Sequence, residues 1–184
     1  MDTDNPSLRF GGFWVRAAAL VLDGLINLPL IAFILWASPR CRLFQPYFFI
    51  PWTAIDLFYN VYLVRRFGGT PGKLIMRLRV RKKTGEPVGY REAILREAPN
   101  LLLGVLTTIA MLPALSKMSD AEFHALPARA RSIRIAQLAP AWSKPLRIVG
   151  TIWPYSELVV LLTNRKRRAL HDFIAGTVVV YDET

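Results

Sequence analysis

The fold class predicted by this sequence is an all-α transmembrane bundle of about four spans, with both termini inside and a small cytoplasmic β-sheet. Three observations carry that prediction. The 184 residues are 53% hydrophobic, the apolar residues fall in long runs separated by charged blocks, and those blocks hold 24 Lys and Arg against 13 Asp and Glu. A disordered chain lacks such runs, and a soluble globule would scatter its charges instead of grouping them. The length suits one domain, residues 1–184.

The formal charge of +11 does not imply a nucleic-acid partner, because the basic blocks flank apolar runs and no zinc-finger or RNP pattern accompanies them. Such blocks act as topology signals and are attracted to anionic lipid headgroups. Cys41 is the single cysteine, which leaves no internal disulfide and no cysteine-based metal site.

The first span is residues 16–36, an apolar run whose charges are Arg16 at its entrance and Asp23 within, long enough at ~1.5 Å per residue to cross a ~30 Å hydrocarbon core. The acidic start MDTDNPS and the length of the run argue against a cleaved signal peptide. Residues 43–64 form the second span, with Asp56 its one acid, aromatics Tyr47, Trp52, Tyr59 and Tyr62, and a kink expected near Pro51. The loop 65–98 carries ten basic residues and stays in the cytoplasm. Residues 99–116, interrupted by Pro113, and 146–163, containing Pro154 and Glu157, are the third and fourth spans. Between them, 117–145 places Phe123, Leu126, Ala130 and Ile133 at near-helical spacing beside Arg129, Arg131 and Arg134. Both an interfacial helix and an ordinary loop fit that segment. The tail is 164–184. With both termini inside, 15 Lys and Arg face the cytoplasm and 8 the exterior, so the orientation is N-in, C-in.

The chemistry is concentrated in a few polar residues within the spans. Arg16 and Asp23 lie two helical turns apart on one face, and Asn27 extends that stripe. An intramembrane carboxylate costs ~3 kcal/mol unless it is paired, protonated or hydrated. Thr53, Asp56 and Asn60 make a second polar stripe, and Glu157 is the acid of span four. Counted inward from the basic flanks, Asp23, Asp56 and Glu157 fall at one depth, ~10 to 14 Å inside the cytoplasmic boundary. They could form a shared acidic layer that exchanges a proton or holds a cation, or they could serve helix packing.

The segment Gly68 to Lys73 fails as a phosphate loop, since its glycine spacing is too short and Leu74 stands where Ser or Thr is required. Thr70 instead suits an N-cap, with Pro71 at the first position of a short helix. Residues Arg77 to Arg81 alternate apolar and basic before a Thr84-Gly85 turn, and Thr177 to Tyr181 (TVVVY) is β-branched; two strands on one side predict the sheet.

Three motifs together, GFWVRAAALVLDGLI, GGTPGKLIMRLRVRKKTGEPVGYREAILRE and RRALHDFIAGTVVVYD, resemble the RDD family of bacterial multi-pass membrane proteins. The resemblance implies that Arg16, Asp23 and Asp172 are the signature arginine and aspartates, with Thr70, Gly72 and Lys73 in the loop motif and His171 before the last aspartate. Asp56, Glu157 and residues 117–145 stand outside that pattern. The implied location is the bacterial plasma (inner) membrane, and the implied function is small-ligand transport, with cation and proton exchange in some members. Arg16 has two possible partners, Asp23 and Asp172. If it pairs with Asp172 the signature is structural, and a non-transporting accessory or assembly protein that presents the basic loop to a membrane partner becomes the alternative. No nucleophile-base pair, metal-ligand cluster or cofactor motif is present, so no enzyme, metal or cofactor is expected. Four spans give one protomer a thin pathway, so transport calls for a homo-oligomer.

Overall fold

A computed structural model describes residues 9–164 and 167–182. Arg165 and Lys166, counted above among the cytoplasmic cations, and the acidic start MDTDNPS lie outside the described residues. The chain divides into two compact units, each described by itself. Unit 1 comprises residues 1–27, 55–99 and 153–184, and unit 2 residues 28–54 and 100–152.

Helix α1, Phe13–Ile26, ends at Asn27, and α2, Leu28–Ala37, follows directly. The first expected span, 16–36, is therefore broken. Pro29 has no N–H to donate to the carbonyl four residues back, and the Asn27 side chain donates instead to the Asp23 carbonyl at 2.8 Å. The second expected span, 43–64, is likewise not one continuous α-helix. Helix α3, Phe44–Leu57, passes through Pro51 into a π-helical turn, Phe58–Tyr62, and then into α4, Leu63–Phe67. Gly68, at φ +82°, closes α4 in the left-handed conformation that glycine adopts without penalty.

Helix α5, Pro71–Ile75, begins with Pro71 after Thr70 at the N-cap, as the sequence suggests. Strand β1, Leu78–Lys82, leads to helix α6, Tyr90–Lys117. This helix starts nine residues before Pro99, the expected beginning of span three, and runs through Pro113. Its first turn is capped when Gly89 N–H donates to the Glu92 carboxylate at 2.8 Å. Residues 117–145 hold two short helices, α7, Asp120–Ala125, and α8, Ala128–Leu138. Helix α9, Ser143–Thr163, is followed by α10, Leu170–Ala175, and strand β2, Thr177–Tyr181. Helices α6 and α9 are long and apolar enough to cross a membrane, and the α1–α2 pair makes a third if read as one span.

The two strands pair antiparallel, with Leu78 opposite Tyr181, Val80 opposite Val179 and Lys82 opposite Thr177. The other edge of β2 is covered by the N-terminal segment, since Gly11 N–H donates to Val179 and Tyr181 N–H to Arg9. Val80 and Val179 join Ala19, Val61, Val64, Leu78, Val88 and Ala93 in the core of unit 1. Many other large apolar side chains face outward, with Leu20, Leu35 and Ile50 each at least 70% exposed. An aqueous surface rarely tolerates such faces, and lipid accepts them.

Candidate functional site

Unit 1 holds every residue of the family-like pattern. Helix α10 begins in the turn after Arg168, which puts Asp172 three residues past Ala169, where its carboxylate accepts the Ala169 N–H at 3.1 Å. Asp172 is fully buried. Arg16 of α1 donates to one of its oxygens at 3.2 Å, and Arg96 of α6 and Thr177 of β2, the latter at 3.2 Å, donate to the other. Arg168 donates to the Asp172 carbonyl at 2.7 Å and to the Thr177 carbonyl at 3.0 Å. Burial alone would raise the Asp172 pKa. The neighbouring Arg96, His171, Arg16 and the Ala169 N–H outweigh it and hold the carboxyl well below its ordinary range. The choice left open by the sequence is thus settled: Arg16 pairs with Asp172.

Asp23 is satisfied without an arginine. Tyr59 and the Gly72 N–H donate to one oxygen and Thr70 to the other, all at 2.6 Å. The π-helical turn contains Tyr59. Thr70 occupies the N-cap of α5, yet its hydroxyl serves Asp23 and makes no cap bond. A Cβ on Gly72 would lie 2.2 Å from the Ala19 carbonyl oxygen and 2.7 Å from the Asp23 carboxyl, so only glycine lets α5 come this close to α1. Lys73 reaches the Thr70 hydroxyl at 3.3 Å. Burial, then Arg96 and Arg16, lower its pKa to about 8 against the pull of Asp23 and Asp172.

The two remaining acids have their own partners. Asp56 accepts from the Asn60 amide at 2.8 Å and has Glu97 of α6 as a neighbour. Glu157 meets His171 Nδ1 at 2.7 Å, and His171 Nε2 lies 3.0 Å from Arg96. The expected layer of Asp23, Asp56 and Glu157 is resolved into three separate sets of contacts. Among the described residues no group of three or more His, Cys, Asp or Glu could hold a metal ion. Of the polar stripes, Asn27 bonds its own helix and Asn60 bonds Asp56. Thr53 belongs to unit 2.

Arg96, Glu97 and Tyr59 are site residues that the sequence reading missed. Arg96 and Glu97 are each 8% exposed, although the charge of their segment suggested a solvated loop. Ala93, Arg96, Glu97 and Asn100 follow a helical i, i+3, i+4, i+7 spacing that could have identified them.

A family model described as the RDD family matches residues 10–176. No curated protein and no solved structure matches the chain.

Proposed function

The chain belongs to the RDD family of membrane proteins, and on that footing we propose that it is a four-span protein of the bacterial inner membrane that couples movement of a small ligand or cation to a proton. The observation that supports this reading best is the closeness of two carboxyl groups, Asp56 and Glu97, within unit 1. Two neighbouring carboxyl groups repel each other when both are ionised and are stabilised by one proton between them, so the pair is a place where a proton can be held and exchanged. Glu157 and His171 supply a second such pair, in which a ring nitrogen and a carboxylate face each other at 2.7 Å. Asp172 does not suit this role, because two arginines fix its charge. A homo-oligomer would give the pathway its width.

Proteoliposomes of purified protein test the reading with a proton-sensitive dye inside. An imposed cation gradient should drive proton flux in the wild type, and Asp56→Asn and Glu97→Gln should shift its pH dependence or abolish it. The second reading, an accessory protein that presents its basic loop, is favoured by the fixed setting of that loop: Gly72 and Thr70 bond Asp23, and Arg65 lies 5.7 Å over Tyr90. Wild-type protein that moves no cation under any gradient, with Asp56→Asn folded and active in the cell, would select it. Reporter fusions after Thr84 and near Ser38 should read cytoplasmic and external; a periplasmic signal at Thr84 would reverse the orientation.

A further inference from the structure

Unit 2 contains a cavity of about 350 Å³ that none of the signature residues lines. Three arginines line it, Arg42, Arg131 and Arg147, and no Asp or Glu does. The rest of its wall mixes apolar side chains such as Met111, Phe123 and Ile135 with small hydroxyl residues and Gln45. A volume of that size, mostly apolar and with a few convergent polar groups, is typical of a small-molecule site.

The three arginines differ in what they have left to offer. Arg42 is committed to the fold, donating to Asp120 at 2.8 Å and to the carbonyls of Leu115 and Met118 at the end of α6. Arg131 is held rigidly. Its guanidinium lies 4.2 Å over the buried Phe123 ring, and one terminal nitrogen donates to the Leu126 carbonyl at 3.1 Å. Its Nε is nevertheless buried with no acceptor. Neighbouring Arg134 is neutralised by Glu122 at 2.7 Å, which leaves that acid unavailable to Arg131. Arg147 is exposed, and its guanidinium has no acidic partner among the described residues.

Two guanidinium groups that line one cavity with no Asp or Glu beside them repel each other unless an anion joins them. We propose that this cavity binds a single amphiphilic anion, a phosphate or carboxylate head carried on an acyl chain, with the head between Arg131 and Arg147 and the first part of the chain along Met111, Phe123 and Ile135. Arginine suits such a head because its planar donors match two oxygens at once. The apolar wall favours an acyl body over a soluble anion. The same binding gives a counter-charge to Arg131, one of the arginines that 117–145 places on the side of the membrane where the charge count expects few. The inference is independent of the proton-coupling reading, whose residues all lie in unit 1.

Purified full-length protein in nonionic detergent provides the test. It is titrated with dioleoyl phosphatidylglycerol, oleate, dioleoyl phosphatidylcholine and glycerol 3-phosphate, and followed by native mass spectrometry and thermal midpoint. One equivalent of phosphatidylglycerol or of oleate should bind saturably and raise the midpoint, and whichever binds tighter identifies the head as phosphate or carboxylate. Phosphatidylcholine and glycerol 3-phosphate should bind at least about tenfold more weakly, as should the anion to Arg131→Gln or to the exposed Arg147→Gln. Ala136→Trp, which fills the cavity and keeps every charge, should abolish binding. Three results would each overturn the proposal: no saturable anion binding, glycerol 3-phosphate binding as tightly as the lipid anions, or binding unchanged in both Arg147→Gln and Ala136→Trp.

Discussion

Asp172 and Asp23 are both signature carboxylates of unit 1, and opposite chemistries satisfy them. Asp172 is wholly buried between the guanidinium groups of Arg16 and Arg96, with Thr177 and the Ala169 N–H completing its shell. Asp23, partly buried, is surrounded by a phenol, a hydroxyl and a backbone N–H. The first arrangement is an ionic clasp joining α1, α6, α10 and β2. The second is a neutral clasp that seats α5 against α1. An ionic clasp tolerates no loss of charge on either side, whereas a neutral one depends on close approach. The comparison therefore predicts that charge substitutions are most damaging at Asp172 and that steric ones are most damaging at the Asp23 contact.

The largest effect is expected from Asp172→Asn, which leaves Arg16 and Arg96 buried side by side without a counter-charge. Breaking such a pair from one side costs about 3 to 5 kcal/mol. Thermal unfolding in detergent should show a large loss of stability or no folded protein. Arg16→Ala should cost less, because Arg96 remains on Asp172. In the Asp172→Asn background Arg16→Ala should recover stability, since it removes a stranded cation. Combined with Asp23→Asn it should be additive, and strong coupling there would mean that the two clasps are one network. Acid should act like the Asn variant. The folded carboxyl is held below its ordinary pKa of 3.8, so its stabilisation is complete above that value and is lost as the pH falls below it.

How far these clasps were legible in the sequence depended on the kind of signal each one left. Arg16, Asp23, Asp172, Thr70 and Gly72 were all singled out, and both strands were placed within one residue because β-branched and alternating runs are local patterns. The pairing of Arg16 was not legible, since a choice between acids 7 and 156 residues away is made by tertiary packing. Arg96 and Glu97 were missed because a charged, Lys- and Arg-rich stretch looks solvated even when its helix turns two charges inward. The break at Asn27 was written in the neighbouring Pro29, yet the hydropathy of 16–36 masked it. The π-helical turn that carries Tyr59 has no sequence signature that the pattern rules detect.

Gly72→Ala tests the neutral clasp. The added methyl would lie 2.2 Å from the Ala19 carbonyl oxygen and 2.7 Å from the Asp23 carboxyl, so α5 must move away from α1 and loosen the bonds from Thr70 and the Gly72 N–H. Overpacking of this kind costs about 1 to 3 kcal/mol. Gly150→Ala, where nothing lies within 4 Å of the new Cβ, is the control and should leave stability unchanged or slightly raised. Equal effects at the two positions would show that the contact between α1 and α5 is not tight.

Lys73 lies within reach of both clasps, and its charge is felt through pH. The unfolded chain keeps the Lys73 proton up to about 10.5 and the folded chain only to about 8, so folding releases a proton between those values and stability rises with pH there. Lys73 is only partly buried, which reduces the rise below what the pKa difference alone would give. Lys73→Met should flatten the profile between pH 8 and 10.5 without loss of stability at pH 7. A profile that keeps its slope in the variant would assign the titration to another group.

The smallest effect belongs to the exposed counterpart of the ionic clasp. Lys82 and Glu86 form an ion pair at 3.3 Å across the turn after β1, with Glu86 64% exposed. Its chemistry is that of Arg16 with Asp172, a carboxylate and a cation, but water solvates both partners before and after folding. The turn is also closed by its own backbone, through the Lys82 N–H to the Glu86 carbonyl at 2.9 Å and the Gly85 N–H to the Lys82 carbonyl at 2.9 Å. Glu86→Gln leaves those bonds and removes one screened charge, so the expected change is within about 0.5 kcal/mol and should shrink further in added salt. A loss approaching that of Asp172→Asn would mean that burial is not what separates the two pairs.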